Sequence, residues 1–371
     1  MARMNGVEKG CLIIADISGY TKYLTGVELD HSTDILADLI NTIVDQMRGV
    51  FTLAKLEGDA IFAYAADPTD LSEGPSLVTS IEGTYFAFRH RQSVIDRATS
   101  CTCDACSKIP TLDLKFVVHH GSYVVHEVAG SRELVGPDVI VAHRLLKNDV
   151  KSKHGLNGYA FFSGHCAERY GLDTTALTLR PHIEDYDDVG QIEGWVHDLD
   201  TRWAEELERR VVRLSRDEPG VMILEFELPA PPPVVWDHVT SASKRLGWQV
   251  GTDDMLQDNP SGTRGVGTQN HCIHGDVTIE EEILDWKPFN YVTVKVESPM
   301  GPFIYTFEFE AIDGGSRTKL TDLMRLTGGP EQEAMMAAGG GEVMASQFID
   351  GINNLARLLS ERAEAAAASS G

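Results

Sequence analysis

Apolar and polar positions alternate along the first 200 or so residues between strand-like and helix-like patterns. The apolar run from Leu12 to Ala15 predicts a strand buried on both faces, with Asp16 at its carboxyl end. Residues 32–49 carry apolar side chains at helical spacing. Residues 51–65 hold two strand-like runs joined at Glu57-Gly58-Asp59, which predicts a hairpin with an acid at its tip.

The same alternation continues to about residue 215. Residues 76–99 predict a second helix, and residues 112–130 predict two adjoining strands with Gly121 between them. Residues 137–148 have helical spacing, and residues 201–215 predict a closing helix with its charges on the solvated side. Alternating strands and helices of this kind are typical of layered folds in the α/β or α+β class.

The pattern changes near the sequence RDEPG, residues 216–220, where Pro and Gly follow a charged helix end. Beyond it come a strand-like segment, a Pro-started helix over 231–249, a strand-rich region over about 262–326 and a long terminal helix. This order predicts a second α+β unit. We therefore predict an α+β protein with two domains, residues 1–215 and 221–365, in a chain of 371 residues.

Composition and charge limit the classes of function that fit this sequence. Hydrophobic residues make up 42% and charged residues 24%, as is usual for a soluble globular protein. The formal net charge of -24 argues against nucleic acid as a partner, although a phosphate ligand remains open where a metal or a local basic group offsets the field. The sequence has no apolar stretch of membrane-spanning length, and its start, MARMNGVEKG, lacks the apolar core of a signal peptide. The expected location is the cytoplasm.

Asp16 and Asp59 are the first candidate site. If the hairpin pairs beside the first strand, the two carboxylates converge and repel each other unless a divalent cation binds between them. Ser18-Gly19-Tyr20-Thr21 follows the first acid and could present backbone N–H groups to a phosphate at a helix start. The alternative for each acid is an ordinary helix cap or turn residue.

DISGYT followed by KLEGDAIFAYA resembles the paired metal-binding motifs of class III nucleotide cyclases, which convert ATP or GTP to a cyclic 3′,5′-nucleotide. VVHHGSYVVHEVAG and VGPDVIVAHRL continue the resemblance, which spans roughly residues 10–165 and is closer to an uncharacterised bacterial branch, also suggested by CTCDACS and LDLKFVVHHG. It implies a ferredoxin-like, cyclase-type domain with a central sheet, working as a homodimer.

The resemblance also assigns roles to individual residues. Asp16 and Asp59 become ligands of Mg²⁺ or Mn²⁺, with the Ile17 carbonyl as a further ligand. Lys55 becomes the residue that reads the purine, and together with the turn described above, Ser18, Gly19, Tyr20 and Thr21, it completes the predicted nucleotide-binding set. Arg144 becomes the catalytic residue that stabilises charge on the transferred phosphoryl group.

Two positions depart from the family pattern. Ile140 stands where the family usually has an asparagine four residues before the arginine, and Ser131 stands at the second purine-reading position, which is commonly an acid. Because isoleucine offers no hydrogen bond to position the ribose, we expect purine nucleotide binding with weak or no turnover. An active nucleotide cyclase is the alternative.

The cysteine cluster CTCDACS could bind Zn²⁺ through Cys101, Cys103 and Cys106. The fourth ligand would come from His119, His120, His165 or Cys166. The alternatives are reduced loop cysteines without metal, or a pair that oxidises reversibly. His119, His120 and His143 are otherwise interpreted as packed or hydrogen-bonded histidines rather than catalytic bases.

The second half resembles the START-like superfamily, which includes the polyketide cyclase/dehydrase-type proteins, over about residues 221–362. This implies a helix-grip fold with an apolar cavity that binds an apolar small molecule. The residues that could line the cavity are Trp236, His238, His271, His274, Trp286 and Tyr305. The fusion suggests ligand sensing or signalling coupled to nucleotide state. The alternative is a START-like carrier or polyketide cyclase-type enzyme whose first domain is a scaffold.

Overall fold

A computed structural model describes residues 6–25, 27, 29–67, 74–98, 104–128, 131–208 and 211–370 of the chain. The chain divides into two compact units, residues 1–209 and 210–371. Within the described ranges, no helix combines the length and the apolar character needed to cross a bilayer.

The first unit is built on a mixed sheet. Its strands are β1 (Glu8–Ser18), β2 (Thr52–Glu57), β3 (Ala60–Ala66), β4 (Asp113–Val128), β5 (Ser131–Val135), β6 (Tyr159–Ser163), β7 (Arg180–Tyr186) and β8 (Gly190–Asp198). They lie in the order β2-β3-β1-β4-β6-β8-β7, with β5 paired to β4 outside this row. β4 and β6 run parallel, whereas β1 is antiparallel to both of its neighbours, β3 and β4.

Helices cover this sheet. They are α1 (Tyr20–Thr25), α2 (Leu29–Met47), α3 (Gly74–Ala98), α4 (Asp104–Ser107), α5 (Pro137–Leu145), α6 (Val150–His154), α7 (Gly164–Tyr170) and α8 (Leu199–Glu208). A short 3₁₀ turn, Ile109–Thr111, precedes β4. Leu36, Leu39 and Ile43 are buried at helical spacing on α2, which places the apolar stripe of that helix in the core.

Strand β1 is buried on both faces, as predicted. Ile13 and Ala15 lie in the core that includes α2 and α3, while Leu12 and Ile14 lie in a second cluster with residues of α5. Successive side chains of a strand point to opposite faces, so a strand covered on both sides needs a continuous apolar run. The hairpin is confirmed as well, since β2 and β3 pair across a turn in which Gly58 has a φ of +73°.

The predicted break at Gly121 is wrong. β4 continues through this residue, and Gly121 pairs with Gly10 of β1. The glycine is required by packing, because a Cβ atom at position 121 would lie 2.4 Å from the Cβ of Asp138 on α5. Gly121 therefore permits a close approach of helix to strand and makes no turn.

The second unit has an antiparallel sheet and a long terminal helix. Its strands are β9 (Met222–Leu228), β10 (Asp254–Asp258), β11 (Gln269–His274), β12 (Val277–Lys287), β13 (Tyr291–Glu297), β14 (Phe303–Ile312) and β15 (Arg317–Leu326). Its helices are α9 (Pro232–Thr240), α10 (Ala242–Arg245), α11 (Pro330–Met335) and α12 (Gly341–Ser370). A short 3₁₀ turn (Asp313–Gly315) joins β14 to β15, and a π-helical turn (Met336–Gly340) joins α11 to α12.

The strands of this sheet lie in the order β10-β11-β12-β13-β14-β15-β9. Ile352, Leu355 and Leu359 of α12 pack in one core with inward residues of the sheet such as Phe307 and Leu320. An antiparallel sheet packed against a long helix is the arrangement expected for this half, and the predicted α+β class is confirmed.

The predicted helix over residues 201–215 ends early. α8 stops at Glu208, and residues 211–215 are not helical. The backbone N–H of Val212 donates to Asp285 Oδ2 at 2.6 Å, and that of Leu214 donates to Thr306 Oγ1 at 3.2 Å. Because residues of the second unit accept from these N–H groups, the segment is held outside a helix.

Candidate functional site

The two predicted metal carboxylates meet at one end of β1. Asp16 pairs with Ala60 of β3, the residue directly after Asp59. The backbone N–H of Ile17 donates to the Asp59 carbonyl oxygen at 3.1 Å. Antiparallel pairing of the hairpin with β1 therefore brings Asp16 and Asp59 together, as the sequence spacing predicts.

The charges of these two acids affect each other. Burial raises the pKa of the Asp59 carboxyl above its usual range, and the nearby Asp16 carboxylate raises it further. Two half-buried carboxylates in contact with solvent favour a hard divalent cation, since Mg²⁺ and Mn²⁺ prefer oxygen ligands. The chemistry of the donor set thus fits the metal that the sequence resemblance implies. The role of the Ile17 carbonyl as a further ligand stays a prediction.

Lys115 also belongs to this site, and the sequence reasoning missed it. It pairs with Asp16 across β1 and β4, and its Nζ lies 3.1 Å from Asp16 Oδ2. The same ammonium group donates to the Leu146 carbonyl oxygen at 3.2 Å. A cation at this position offsets part of the charge that a metal would balance, so a metal ion at Asp16 must compete with Lys115.

The predicted phosphate-binding turn follows β1 directly. Gly19 has a φ of +92°, a conformation that favours glycine, and its carbonyl oxygen accepts a hydrogen bond from the Tyr23 N–H at 2.9 Å. Helix α1, which starts at Tyr20, has six residues and therefore offers only a small helix dipole. Nucleotide binding by Ser18, Gly19, Tyr20 and Thr21 stays a prediction.

Lys55, the predicted purine-reading lysine, lies on β2 and faces an acid on β5. Its Nζ is 3.7 Å from Glu133 Oε1 and 3.7 Å from Glu57 Oε1. The resemblance placed Ser131 at the second purine-reading position, but the side chain of Ser131 is outside the described residues. Lys55 is therefore accompanied by two acids, Glu57 on its own strand and Glu133, which lies two positions beyond the expected one. Glu133 was missed because two strands must pair before the two side chains meet.

Arg144 and Ile140 lie one helical turn apart on α5. Arg144 forms an ion pair with Asp188, in the turn between β7 and β8. Among the described residues, Arg144 forms no ion pair with Asp16 or Asp59. Ile140 is 53% exposed, so its side chain presents apolar surface at the position where the sequence resemblance predicts an asparagine. The catalytic role of Arg144 stays a prediction.

The histidines singled out in the sequence make hydrogen bonds or ion pairs. His119 Nδ1 lies 2.8 Å from Ser163 Oγ and its Nε2 lies 3.3 Å from Asp138 Oδ1. This resembles a nucleophile, base and acid set, but Ser163 is buried and its hydroxyl accepts the Cys166 N–H as the N-cap of α7. His120 Nε2 is 2.9 Å from Asp67, and His143 Nδ1 is 3.5 Å from Glu57.

The three cysteines of the predicted zinc site have no described side chains. Cys101 and Cys103 lie outside the described residues, as does the side chain of Cys106. Of the fourth-ligand candidates, Cys166 is a buried free thiol whose pKa burial raises well above its usual value, which disfavours the thiolate that zinc requires. Zinc binding by the three clustered cysteines stays a prediction.

A different group in the first unit could hold a metal ion. Ligand atoms of Asp149, His182 and Glu184 lie within 4.8 Å of one another. His182 Nε2 is 2.5 Å from Glu184 Oε1 and 3.3 Å from Asp149 Oδ1, while its Nδ1 is 3.0 Å from His154 Nε2. Imidazole and carboxylate ligands suit Zn²⁺ and neighbouring transition metals. Sequence reasoning missed this group because Asp149 joins it only through the fold.

The second unit contains a cavity of about 170 Å³ between the sheet, helix α12 and the α10 region. Its wall is mainly apolar and aromatic, with a few polar side chains; the lining includes Trp248, Ile279, Val296, Phe303, Phe307, Met324, Met344 and Phe348. Of the predicted lining residues, His274 and Tyr305 are present, whereas Trp236 and Trp286 pack against each other in the core with ring centroids 4.6 Å apart. His238 is also buried, and His271 is not part of this lining.

Three charged residues of the cavity wall were missed by sequence reasoning. Arg245 and Glu281 form a buried bidentate ion pair with N···O distances of 2.5 and 2.7 Å. Asp322 is buried on β15, and burial raises the pKa of its carboxyl to about 7. The sequence signal for Asp322 was its position in an alternating strand, between the inward residues Leu320 and Met324.

Comparison with protein families covers both units. Residues 36–154 match a family described as "Protein of unknown function (DUF2652)", and residues 224–360 match the family "Polyketide cyclase / dehydrase and lipid transport". The second match confirms the predicted START-like resemblance. Among solved structures, the chain is similar to the guanylyl cyclase Cya2 (16% identity, TM-score 0.41, covering 52% of this chain and 92% of that one) and to the adenylyl cyclase CyaB from P. aeruginosa (16% identity, TM-score 0.37, covering 52% and 95%).

A curated relative gives the family. The uncharacterised protein Rv2561/Rv2562 of Mycobacterium tuberculosis is 31% identical over 170 residues, which are 45% of this chain and 74% of the relative. Similarity of this extent shows that the two proteins belong to one family, and the chain is therefore a member of the family of the mycobacterial protein Rv2561/Rv2562.

Proposed function

We propose that the first unit binds a purine nucleoside triphosphate together with Mg²⁺ or Mn²⁺ and turns it over weakly or not at all, while the second unit binds a small apolar ligand. The observation that carries the first part is the convergence of Asp16 and Asp59, which sequence spacing anticipates and strand pairing produces. The two carboxylates would hold the metal, and the metal would neutralise the phosphate charge in a protein of formal net charge -24.

The neighbouring residues support nucleotide recognition. Lys55 and Glu133 place an ammonium donor and a carboxylate acceptor side by side on β2 and β5. A purine ring presents donors and acceptors on one edge, so such a pair can read its identity. Because the Lys55–Glu133 separation of 3.7 Å exceeds that of a direct hydrogen bond, both groups can turn to a base without breaking one.

Two features support weak turnover. Ile140 offers no hydrogen bond to orient a ribose, and loss of one positioning group costs a factor of about 100 in rate. Lys115 pairs with Asp16 and competes with a metal ion there. Binding tolerates both changes better than cyclisation does, since cyclisation needs an in-line arrangement of the attacking oxygen and the phosphorus.

The first prediction concerns nucleotide-dependent stability. ATP or GTP with Mg²⁺ or Mn²⁺ is expected to raise the unfolding temperature of the full chain by several degrees, because a ligand at 100 times its Kd adds about 2.7 kcal/mol. Asp16→Asn and Asp59→Asn each remove a metal ligand and are expected to abolish the metal-dependent part of the shift. Differential scanning fluorimetry with each nucleotide, with and without metal, measures it.

Asp45→Asn is the matched control, because it removes the same charge from an exposed acid on α2 that pairs with Arg48. The control is expected to keep the full shift. Chromatography of the same samples is expected to show little or no cyclic nucleotide. Absence of a shift with both nucleotides contradicts the proposed function, and rapid formation of cyclic product supports an active cyclase instead.

We also propose that the first unit forms a homodimer. Leu53, Leu56, Val135 and Ile140 are 45–54% exposed and lie on β2, β5 and α5, which the contacts of Lys55 with Glu133 and of His143 with Glu57 tie together. Apolar side chains grouped in this way are typical of protein interfaces, whereas single exposed ones are ordinary. In such a dimer Arg144 could act at the partner's metal site, as the sequence resemblance implies.

Leu56→Glu is expected to convert this dimer to a monomer, because it places a charge within the apolar patch that the dimer would bury. Sedimentation velocity of the full chain measures the change. Leu207→Glu on α8 is the control, since Leu207 is also exposed but lies on a different element. A wild-type chain that sediments as a monomer at tens of micromolar would contradict the dimer.

For the second unit, the support is the cavity and its apolar wall. Apolar cavities with a few polar groups are the usual form of small-molecule sites. Isothermal titration calorimetry of the full chain with ethylbenzene, a neutral apolar probe, tests this part. The presence of both sites in one chain favours a sensor in which ligand binding is coupled to nucleotide binding.

A further inference from the structure

The cavity of the second unit has a polar feature that general apolar binding does not explain. At about 170 Å³ it is smaller than the ~300–1,000 Å³ typical of sites for drug-sized ligands, so its ligand is a small molecule. One wall carries an acid, Asp322, among aromatic and aliphatic side chains. The inference below rests on the proposed ligand-binding function of this cavity.

Asp322 points into the cavity from the inner face of β15. Its strand neighbours at alternate positions, Leu320 and Met324, belong to the core, and its partner across β14 is Phe307. The carboxyl oxygen Oδ1 is buried and has no hydrogen-bond partner among the residues that the structure describes. A buried carboxyl without partners is costly, so its place in this wall calls for a ligand group that completes it.

The other polar groups of the wall indicate which kind of ligand group the cavity can accept. Both terminal nitrogens of Arg245 donate to Glu281, whose carboxylate already balances the charge of this guanidinium. The Trp248 Nε1–H donates to the His238 carbonyl oxygen. Gln249 presents an amide oxygen, Oε1, that is buried and lacks a partner in the described chain. The two buried polar atoms of this wall that lack a partner in the described chain, Asp322 Oδ1 and Gln249 Oε1, are therefore both hydrogen-bond acceptors.

We propose that this cavity binds a small apolar molecule that carries a primary amine, with its ammonium group paired to Asp322. An ammonium group supplies three donors and a positive charge, which match the Asp322 carboxylate and the Gln249 amide oxygen. The aromatic wall, which includes Phe307 and Tyr305, adds favourable contact with a cation and covers the apolar part of the ligand. An anionic ligand would meet a second negative charge at Asp322.

The test compares ligands of one shape and different polar ends. Isothermal titration calorimetry of the full chain at pH 8 uses 2-phenylethylamine, 2-phenylethanol and phenylacetate. The amine is expected to bind at least about tenfold more tightly than the alcohol, because a charge-assisted hydrogen bond is stronger than a neutral one. Phenylacetate is expected to bind most weakly.

Asp322→Asn is expected to remove the preference for the amine and to keep binding of the alcohol. Asp276→Asn, at an exposed acid in the turn between β11 and β12, is the matched control and is expected to keep the preference. The ligand series on the wild-type chain decides the question even if the Asp322 variant does not fold.

Equal affinity for amine and alcohol would overturn the inference and leave apolar binding standing. Tighter binding of phenylacetate would overturn it in favour of an anionic ligand. If the three compounds and ethylbenzene all fail to bind, the inference and the ligand-binding function of the cavity are both contradicted.

Discussion

Replacing Glu281 by glutamine is expected to lower the free energy of unfolding of the second unit by about 3–5 kcal/mol. Glu281 and Arg245 are both buried, and the carboxylate accepts two hydrogen bonds from the guanidinium and one from Asn270 at 3.0 Å. Glutamine keeps the shape of the side chain but removes its charge. The guanidinium then stays buried without a counter-ion, which costs far more than an exposed ion pair contributes.

The pKa values of the pair agree with this expectation. Although burial raises the pKa of the Glu281 carboxyl, the charge of Arg245 and the hydrogen bonds from Arg245 and Asn270 hold it below its usual value. The carboxylate is therefore ionised at neutral pH. Its pKa in the folded state is lower than its pKa in the unfolded state. By linkage, the contribution of this carboxylate to stability is fully present above the pKa of the unfolded state. It is lost as the pH falls through the pKa of the folded state.

Urea unfolding of the full chain, followed by tryptophan fluorescence, measures the loss. Glu280→Gln is the matched control, because Glu280 is the preceding residue of β12 and is exposed. The control is expected to change the unfolding free energy by less than about 0.5 kcal/mol. Equal small effects of both variants would show that Arg245 finds solvent or another partner when Glu281 is neutral, and the buried ion pair would then contribute little.

In the site around Asp16 and Asp59, the sequence predicted the parts that depend on the local pattern of apolar and polar residues. An apolar run that ends at Asp16, and a hairpin whose turn contains Gly58 and Asp59, are both short-range signals. Lys115 and Glu133 have no such signal. Each meets its partner only through strand pairing, Lys115 with Asp16 and Glu133 with Lys55, and the register of distant strands is set by the whole sheet.

Two errors in the predicted fold have a common cause. Gly121 was taken as a break, yet the close approach of Asp138 requires a glycine inside a continuous strand. The helix predicted to residue 215 ends at Glu208, since Asp285 and Thr306 accept hydrogen bonds from the backbone that follows. In each case a tertiary contact overrides a local preference.

In the second unit the sequence predicted an apolar cavity but not its polar groups. Tyr305 and His274 were expected at the wall and lie there, whereas Trp236 and Trp286 fill the core instead. Aromatic residues at strand spacing look alike in the sequence whether they line a cavity or pack in the core. Asp322 is a more specific signal of a cavity than these aromatic residues are, because an acid at an inward position of a strand is rarely buried without a partner.

The second large effect is a pH-dependent loss of stability caused by Asp322. Burial raises the pKa of this carboxyl from 3.8 to about 7. Because the folded pKa lies above the unfolded one, the contribution of Asp322 is fully favourable below pH ~4 and is lost as the pH rises to about 7. A shift of about three pKa units corresponds to up to about 4 kcal/mol of stability between these limits.

Asp322→Asn removes this titration, so its unfolding free energy relative to the wild type is expected to rise by up to about 4 kcal/mol between pH 4 and pH 8. The other titratable groups of the cavity wall, Arg245, Glu281, Cys272, His274 and Tyr305, are present in both chains and cancel in the difference. Urea unfolding at a series of pH values measures it, and Asp276→Asn is expected to give a difference that stays constant. Parallel curves for Asp322→Asn and the wild type would mean that Asp322 keeps an ordinary pKa, and that water or a charged neighbour reaches it in the free protein. In that case the carboxylate already has a partner, and a ligand ammonium group would have to displace it.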